Sequence, residues 1–106
     1  MKRLTVMDAI TVAVNIEYAA PTNRTGSRLR VWRSDCTFRE DPDSIYVTWD
    51  AEHDAKLNAA IALDRYIDNK AALSEDGTVP AWEGTWHLAW AGSGKWVGVK
   101  EGKQEF

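Results

Sequence analysis

Between Ile45 and Ile67 the chain reads IYVTWDAEHDAKLNAAIALDRYI, and its hydrophobic period changes once. Ile45, Val47 and Trp49 alternate with Tyr46 and Thr48, the period of two that a half-buried strand requires. After Asp50 the period becomes helical, and Ala59, Ala60, Leu63, Tyr66 and Ile67 fall on one apolar face with Lys56 and Lys70 at its ends. A strand running directly into the chain's one long helix calls for a sheet with that helix laid on it. Asp50 is the expected N-cap, with Glu52 and Asp54 suiting the positive end of the helix dipole, and the helix should run to about Asn69 or a turn further. Leu57 and Ile61, one turn apart, project instead among Asp54, Asp64, Arg65 and Asp68, so that face needs either a cover or a partner.

Further strands follow from the same alternation. Ile10, Val12, Val14, Ile16 and Tyr18 occupy one face of a strand, with Thr11, Ala13, Asn15 and Glu17 on the other. Pro21 to Ser27 collects turn residues and predicts an exposed loop. From Arg28 to Arg33, Leu29 and Val31 face one way and Arg28, Arg30 and Trp32 the other. A loop from Ser34 to Asp43, carrying Cys36, Phe38 and Pro42, leads back to Ile45, so the first three strands read as an antiparallel meander. Beyond a turn-rich connector at Ser74 to Pro80, Thr85 to Ala91 and Lys95 to Lys100 predict a hairpin around Gly92-Ser93-Gly94. If its loop is those three residues, Trp90 faces Trp96. Trp86, Leu88, Trp90 and Trp96 then share one side, with His87, Val97 and Val99 on the reverse. The expected architecture is α+β: a single antiparallel sheet, β-β-β-α-β-β, with one helix packed on one face. One domain spans 1–106, with a loose lead-in at 1–9, where Met7 is an alternative start, and a loose tail at 101–106.

Charge and cysteine content narrow the function classes. The net charge of −3 divides unevenly, with seven Lys or Arg against four acids in the first forty residues and six against twelve in the rest. A single cysteine, Cys36, forms no internal disulfide, and no signal peptide or membrane-length apolar run appears, so a cytoplasmic protein is expected. Catalysis has little to stand on. His53 and His87 are the only histidines, Cys36 lies in a different loop from both, and His53 with Asp50 and Asp54 lacks metal-ligand spacing. Gly92-Ser93-Gly94-Lys95 sits in a hairpin and not between a strand and a helix, where phosphate loops occur. No enzyme activity, metal or cofactor is expected.

Ile16-Glu17-Tyr18, Pro21-Thr22-Asn23-Arg24, Gly26-Ser27-Arg28, Trp49-Asp50 and the Asn58-Ala59-Ala60 helix together resemble a family of small, uncharacterised proteins encoded by phages, prophages and plasmids. The similarity spans about Ile10 to Val99, with Thr25 inserted between Arg24 and Gly26. What the resemblance implies is a mobile-element accessory protein, a class rich in inhibitors of host defence.

The residues offer several binding surfaces. Arg24, Arg28, Arg30, Trp32 and Arg33 form the strongest, since guanidinium groups neutralise phosphate and an indole stacks on an unpaired base. Their alternative is a solvated Arg face with a Trp against its stems, and the net negative charge argues for that. Asn23 and Arg24 belong to the same loop-bearing region. Trp82, Trp86, Trp90 and Trp96 form either an aromatic platform or a core. Leu57, Ile61, Trp90 and Trp96 are candidate interface residues. The acids Asp50, Glu52, Asp54, Asp64, Asp68, Glu75 and Asp76 read as phosphate mimics or as a solvated helix face. The preferred expectation is a non-catalytic phage- or mobile-element-type accessory protein that binds a host protein. It would inhibit a defence complex, of anti-CRISPR or anti-restriction type, through the helix acids and an exposed Trp or through the Pro21 to Arg33 region. The alternatives are a nucleic-acid-binding module using Arg28, Arg30 and Trp32, and a dimeric structural protein joined through Leu57 and Ile61.

Overall fold

A computed structural model describes residues 10–72 and 85–101. The lead-in with Met7, the 74–80 connector, Glu75, Asp76, Trp82 and the tail beyond 101 lie outside the described residues. The elements run β1 (Ile10–Ala19), β2 (Arg28–Arg33), β3 (Ile45–Thr48), α1 (Ala55–Ala72), β4 (Trp86–Gly92) and β5 (Lys95–Glu101). The strands form one five-stranded antiparallel sheet in the order β3-β2-β1-β5-β4, the α+β class that the alternation predicts. Among the described residues no helix is long and apolar enough to cross a membrane.

β1 is the central strand because two long-period partners close on it from both sides: Ile16 stands opposite Val31 of β2 and Trp96 of β5. The faces then sort themselves by alternation. Val14, Ile16, Leu29, Val31 and Val47 are buried on one side, beneath Ala59, Ala62, Leu63 and Tyr66 of the helix. The small residues Ala59 and Ala62 let the helix axis approach the sheet, and Leu63 reaches across to β5. A Cβ built on Gly98 would stand 2.7 Å from a Leu63 methyl carbon, so any larger residue there has to displace that buried side chain. Ala60, placed on the apolar face by the sequence pattern, is exposed, and Ala62 takes its place in the core. The buried stripe also takes in the polar Asn58.

The same residue corrects the helix start. Asp50 does not cap α1; its Oδ1 accepts from the Glu52 backbone N–H at 2.9 Å, closing a local turn, and Asp54 is the cap, accepting from Leu57 N–H at 2.7 Å. Asn58 ties the turn together. Its Oδ1 accepts from Asp50 N–H at 2.9 Å, and its Nδ2 lies 2.9, 3.2 and 3.0 Å from the carbonyls of Asp50, His53 and Asp54. The strand-to-helix corner is thus held by one buried amide. At the hairpin, Trp90 does pair with Trp96, but Gly92 pairs with Lys95 past an irregularity, so the tight turn is Ser93-Gly94. Gly94 has φ +67°, the left-handed region that favours glycine.

The loop from Ser34 to Ser44 is docked by Asp41, a buried carboxylate. It accepts from Arg33 N–H at 2.9 Å, Asp43 N–H at 2.8 Å and the Tyr66 hydroxyl at 2.6 Å, and Lys70 of the helix pairs with Asp43. Burial opposes ionisation of Asp41, but these hydrogen bonds and the Lys70 charge outweigh it and hold the carboxyl below its usual range. Burial and the accepting Asp41 carboxylate push the Tyr66 hydroxyl well above the ordinary tyrosine value.

Candidate binding surface

The helix covers one side of the sheet, and among the described residues no helix covers the other. Alternation sends Arg28, Arg30 and Trp32 of β2 to that open side, as the sequence predicts, with Tyr46 of β3 and Asn15 and Glu17 of β1 beside them. Phe38, from the docked loop, folds over the same face. Trp32 meets Phe38 edge to face with centroids 5.9 Å apart, and Phe38 meets Tyr46 at 5.0 Å. The Arg28 guanidinium stands over the Tyr46 ring, 4.1 Å from its centroid. A continuous run, Arg28–Tyr46–Phe38–Trp32, therefore crosses the open face, and Tyr46 leaves 47% of its surface in solvent. The docked loop owes its position to Asp41 and Tyr66, so a buried latch on the helix side sets an aromatic ring on the far side.

Next to this run lies a shallow depression of about 220 Å³, lined in part by Asn15, Glu17, Trp32, Lys95 and Val97. Glu17 on its wall pairs with Arg30 at 2.9 Å and stands 4.0 Å from Lys95. Arg30 is thus largely neutralised. The Nε atoms of Arg28 and Arg30 are buried without a hydrogen-bond partner among the described residues, and the Tyr46 ring under Arg28 and the Glu17 carboxylate on Arg30 hold the two side chains.

The remaining candidates separate. Asn23 and Arg24 sit exposed at the tip of the β1–β2 loop, where Thr22 and Thr25 hydroxyls bond at 2.8 Å, and this tip adjoins Arg28 at the start of β2. Arg33 is not part of the open face. Alternation turns it to the helix side, and Asp35 grips it through two bonds of 2.9 and 2.7 Å, which raises its pKa. Trp96 is withdrawn as an interface residue: opposite Ile16 and under the helix, it is 7% exposed and belongs to the core. Trp90, paired with it but one strand further out, is 71% exposed because α1 does not extend over β4. Leu57 is 44% exposed and Ile61 is half-buried.

Tyr18, Ser27 and Trp49 meet at one end of the sheet. The Tyr18 hydroxyl bonds Ser27 Oγ at 2.8 Å, its ring meets Trp49 edge to face at 5.2 Å, and Trp49 N–H donates to Ser27 carbonyl at 3.1 Å. Their geometry is that of a clasp between the first loop and the strand-to-helix corner. His53 Nε2 stands 3.4 Å from Asp50 Oδ2 in that corner. Burial and the neighbouring Asp41 and Asp35 carboxylates push the Cys36 thiol up, away from the thiolate a nucleophile needs. Among the described residues no group of three or more His, Cys, Asp or Glu is placed to hold a metal ion.

Sequence reasoning missed Phe38 and Tyr46. Tyr46 was legible, since it alternates out of phase with Ile45 and Val47 and so must share the side of Arg28 and Arg30. Phe38 had no periodic signal, being in a loop. Comparison of the chain with known protein families, with curated proteins and with solved structures finds no match.

Proposed function

We propose that this chain is a non-catalytic accessory protein that binds another protein through the open sheet face, with Arg28, Tyr46, Phe38 and Trp32 as its anchor and Asn23 and Arg24 at its margin. One observation carries the reading: the guanidinium and three rings are packed against one another, on a face that the helix leaves open. Arg and aromatic side chains held rigid on a surface are the groups in which protein-binding energy concentrates. Stacking of unpaired bases needs free ring faces, whereas here Arg28 covers a face of Tyr46 and Phe38 abuts both neighbours. Phosphate capture needs free cations, and Glu17 occupies Arg30.

In its finer form the reading follows the family resemblance: a mobile-element protein that occludes the working surface of a host defence complex, of CRISPR or restriction type. The test is phage plating on cells carrying an active CRISPR or restriction system, with and without the protein. The expected result is restored plating by the wild type, lost in Arg28→Ala/Tyr46→Ala while the circular-dichroism melt of that variant stays close to wild type. Full inhibition by the double variant overturns the assigned face, and no restoration across such systems overturns the inhibitor reading. Quenching of tryptophan emission by single-stranded DNA or RNA, reversed by salt and absent in Arg28→Ala/Arg30→Ala, would replace it with nucleic-acid binding.

A further inference from the structure

The strand register sets the open face out in rows. Arg30 of β2, Glu17 of β1 and Lys95 of β5 stand across from one another, and two residues along the strands Trp32, Asn15 and Val97 do the same. Residues at i and i+2 share a face, so both rows point away from the helix. The depression of about 220 Å³ lies where the two rows meet, with Ala91 at its side, and it has room for one side chain. Its polar groups are unequally satisfied. Glu17 is closed on Arg30 at 2.9 Å, whereas Lys95 Nζ stands 4.0 Å from Glu17, at the outer limit of an ion pair, with 61% of its side chain in solvent. The Asn15 amide makes no side-chain hydrogen bond among the described residues.

We infer that this depression receives an aspartate or glutamate side chain of the partner protein, its carboxylate pairing with Lys95 and accepting from the Asn15 amide while its stem packs on Trp32 and Val97. The inference rests on the reading of the open face as a protein-binding surface. Charge chooses the occupant. Two cations flank one carboxylate, and Arg30 already holds that carboxylate, so Lys95 is the group left to pair. A basic side chain would compete with Arg30 for Glu17, and a neutral one would cover Lys95 without pairing it, at a desolvation cost. A nucleic-acid strand fits less well, since it carries a charge at every phosphate and would set the neighbours of a bound phosphate against Glu17. A single carboxylate on a protein surface brings one charge. The run Arg28–Tyr46–Phe38–Trp32 then supplies contact area, and the depression supplies selection, because a matched charge fixes register and rejects wrong partners more than it adds affinity. The epitope that fits is an acidic residue bordered by an apolar patch.

An NMR titration of the isotope-labelled full chain with a capped glycine peptide carrying a single glutamate tests the site without the partner. Saturable shifts of the Asn15 side-chain amide are expected in the millimolar range, and none with the glutamine counterpart of the peptide. Lys95→Gln should abolish the shifts and Lys95→Arg should retain them. Lys95 is exposed, so the melting temperatures of both variants should match wild type. No shift, equal shifts with the glutamine peptide, or shifts that survive Lys95→Gln overturn the inference. Saturation of the same amide by an oligothymidylate at lower concentration than by the peptide overturns it in favour of nucleic acid. In the phage-plating assay, Lys95→Gln should lose the restored plating and Lys95→Arg should keep it. Equal restoration by wild type and Lys95→Gln overturns the acid-binding site and leaves the inhibitor reading standing. Glutamate-specific binding without restored plating in any system supports the site and overturns the inhibitor reading.

Discussion

Asn58 and Asp41 are polar side chains that do what apolar ones cannot: each satisfies several backbone groups at a place where the chain changes direction. Removing the Asn58 amide orphans Asp50 N–H and carbonyls at the corner, each costing about 1–3 kcal/mol when buried. Asn58→Ala should therefore destabilise by roughly 3 kcal/mol, read as a fall in denaturant midpoint at unchanged slope. Tyr66→Phe leaves the buried Asp41 carboxylate short of one donor and should cost about 1.5–3 kcal/mol, the range for hydrogen bonds to charged groups. That pair also sets an acid limit. The folded pKa of Asp41 lies below its unfolded value of about 3.9, so its contribution is complete above that pH and is lost as pH falls through the folded value. Tyr66→Phe raises the folded pKa, and its acid-unfolding midpoint should move to higher pH than that of wild type. Neither residue announced its role in the sequence. Asn58 looked like one more polar position on a helix and Asp41 like a loop acid, because their partners stand 8 and 25 residues away.

At the scale of elements, alternation was enough to read the strands. Val14, Ile16, Leu29, Val31 and Val47 are buried where the period of two put them, and the Trp90–Trp96 pairing follows from the glycines of the hairpin. The helix was found but its first turn was misplaced, since Asp50 and Asp54 both have capping chemistry and only the buried Asn58 decides between them. The contact of Leu63 with Gly98 is an element-level constraint of a different sort, one helix side chain set into a gap in β5. Gly98→Ala should cost about 1–3 kcal/mol through overpacking, and Gly98→Ala/Leu63→Ala should cost less than the sum of the two single changes, as a double-mutant cycle in urea would show. The open-face surface was half legible: Arg28, Arg30 and Trp32 came from β2 alone, while Phe38 depends on how the Ser34–Ser44 loop is pinned from the opposite side.

Across the whole molecule, the helix lies over β1, β2 and β3 and reaches β5 through Leu63, so the sheet is covered unevenly. The amides of the outer strand β4 should exchange with solvent faster than those of the central strand β1, a gradient that hydrogen-exchange mass spectrometry resolves. The order β3-β2-β1-β5-β4 could not be read from periodicity, because it rests on the non-local pairing of β1 with β5, and local patterns carry no record of distant partners. That pairing has a consequence for how the protein is made. Ile10 stands across from Glu101, so β1, the earliest of the described strands to be translated, receives its second neighbour only when β5, the latest of them, has emerged. Until then β1 presents a bare flank to the ribosome surface and to chaperones, and a nascent chain stalled before Lys95 should be held by them and cut by protease where the released chain is not.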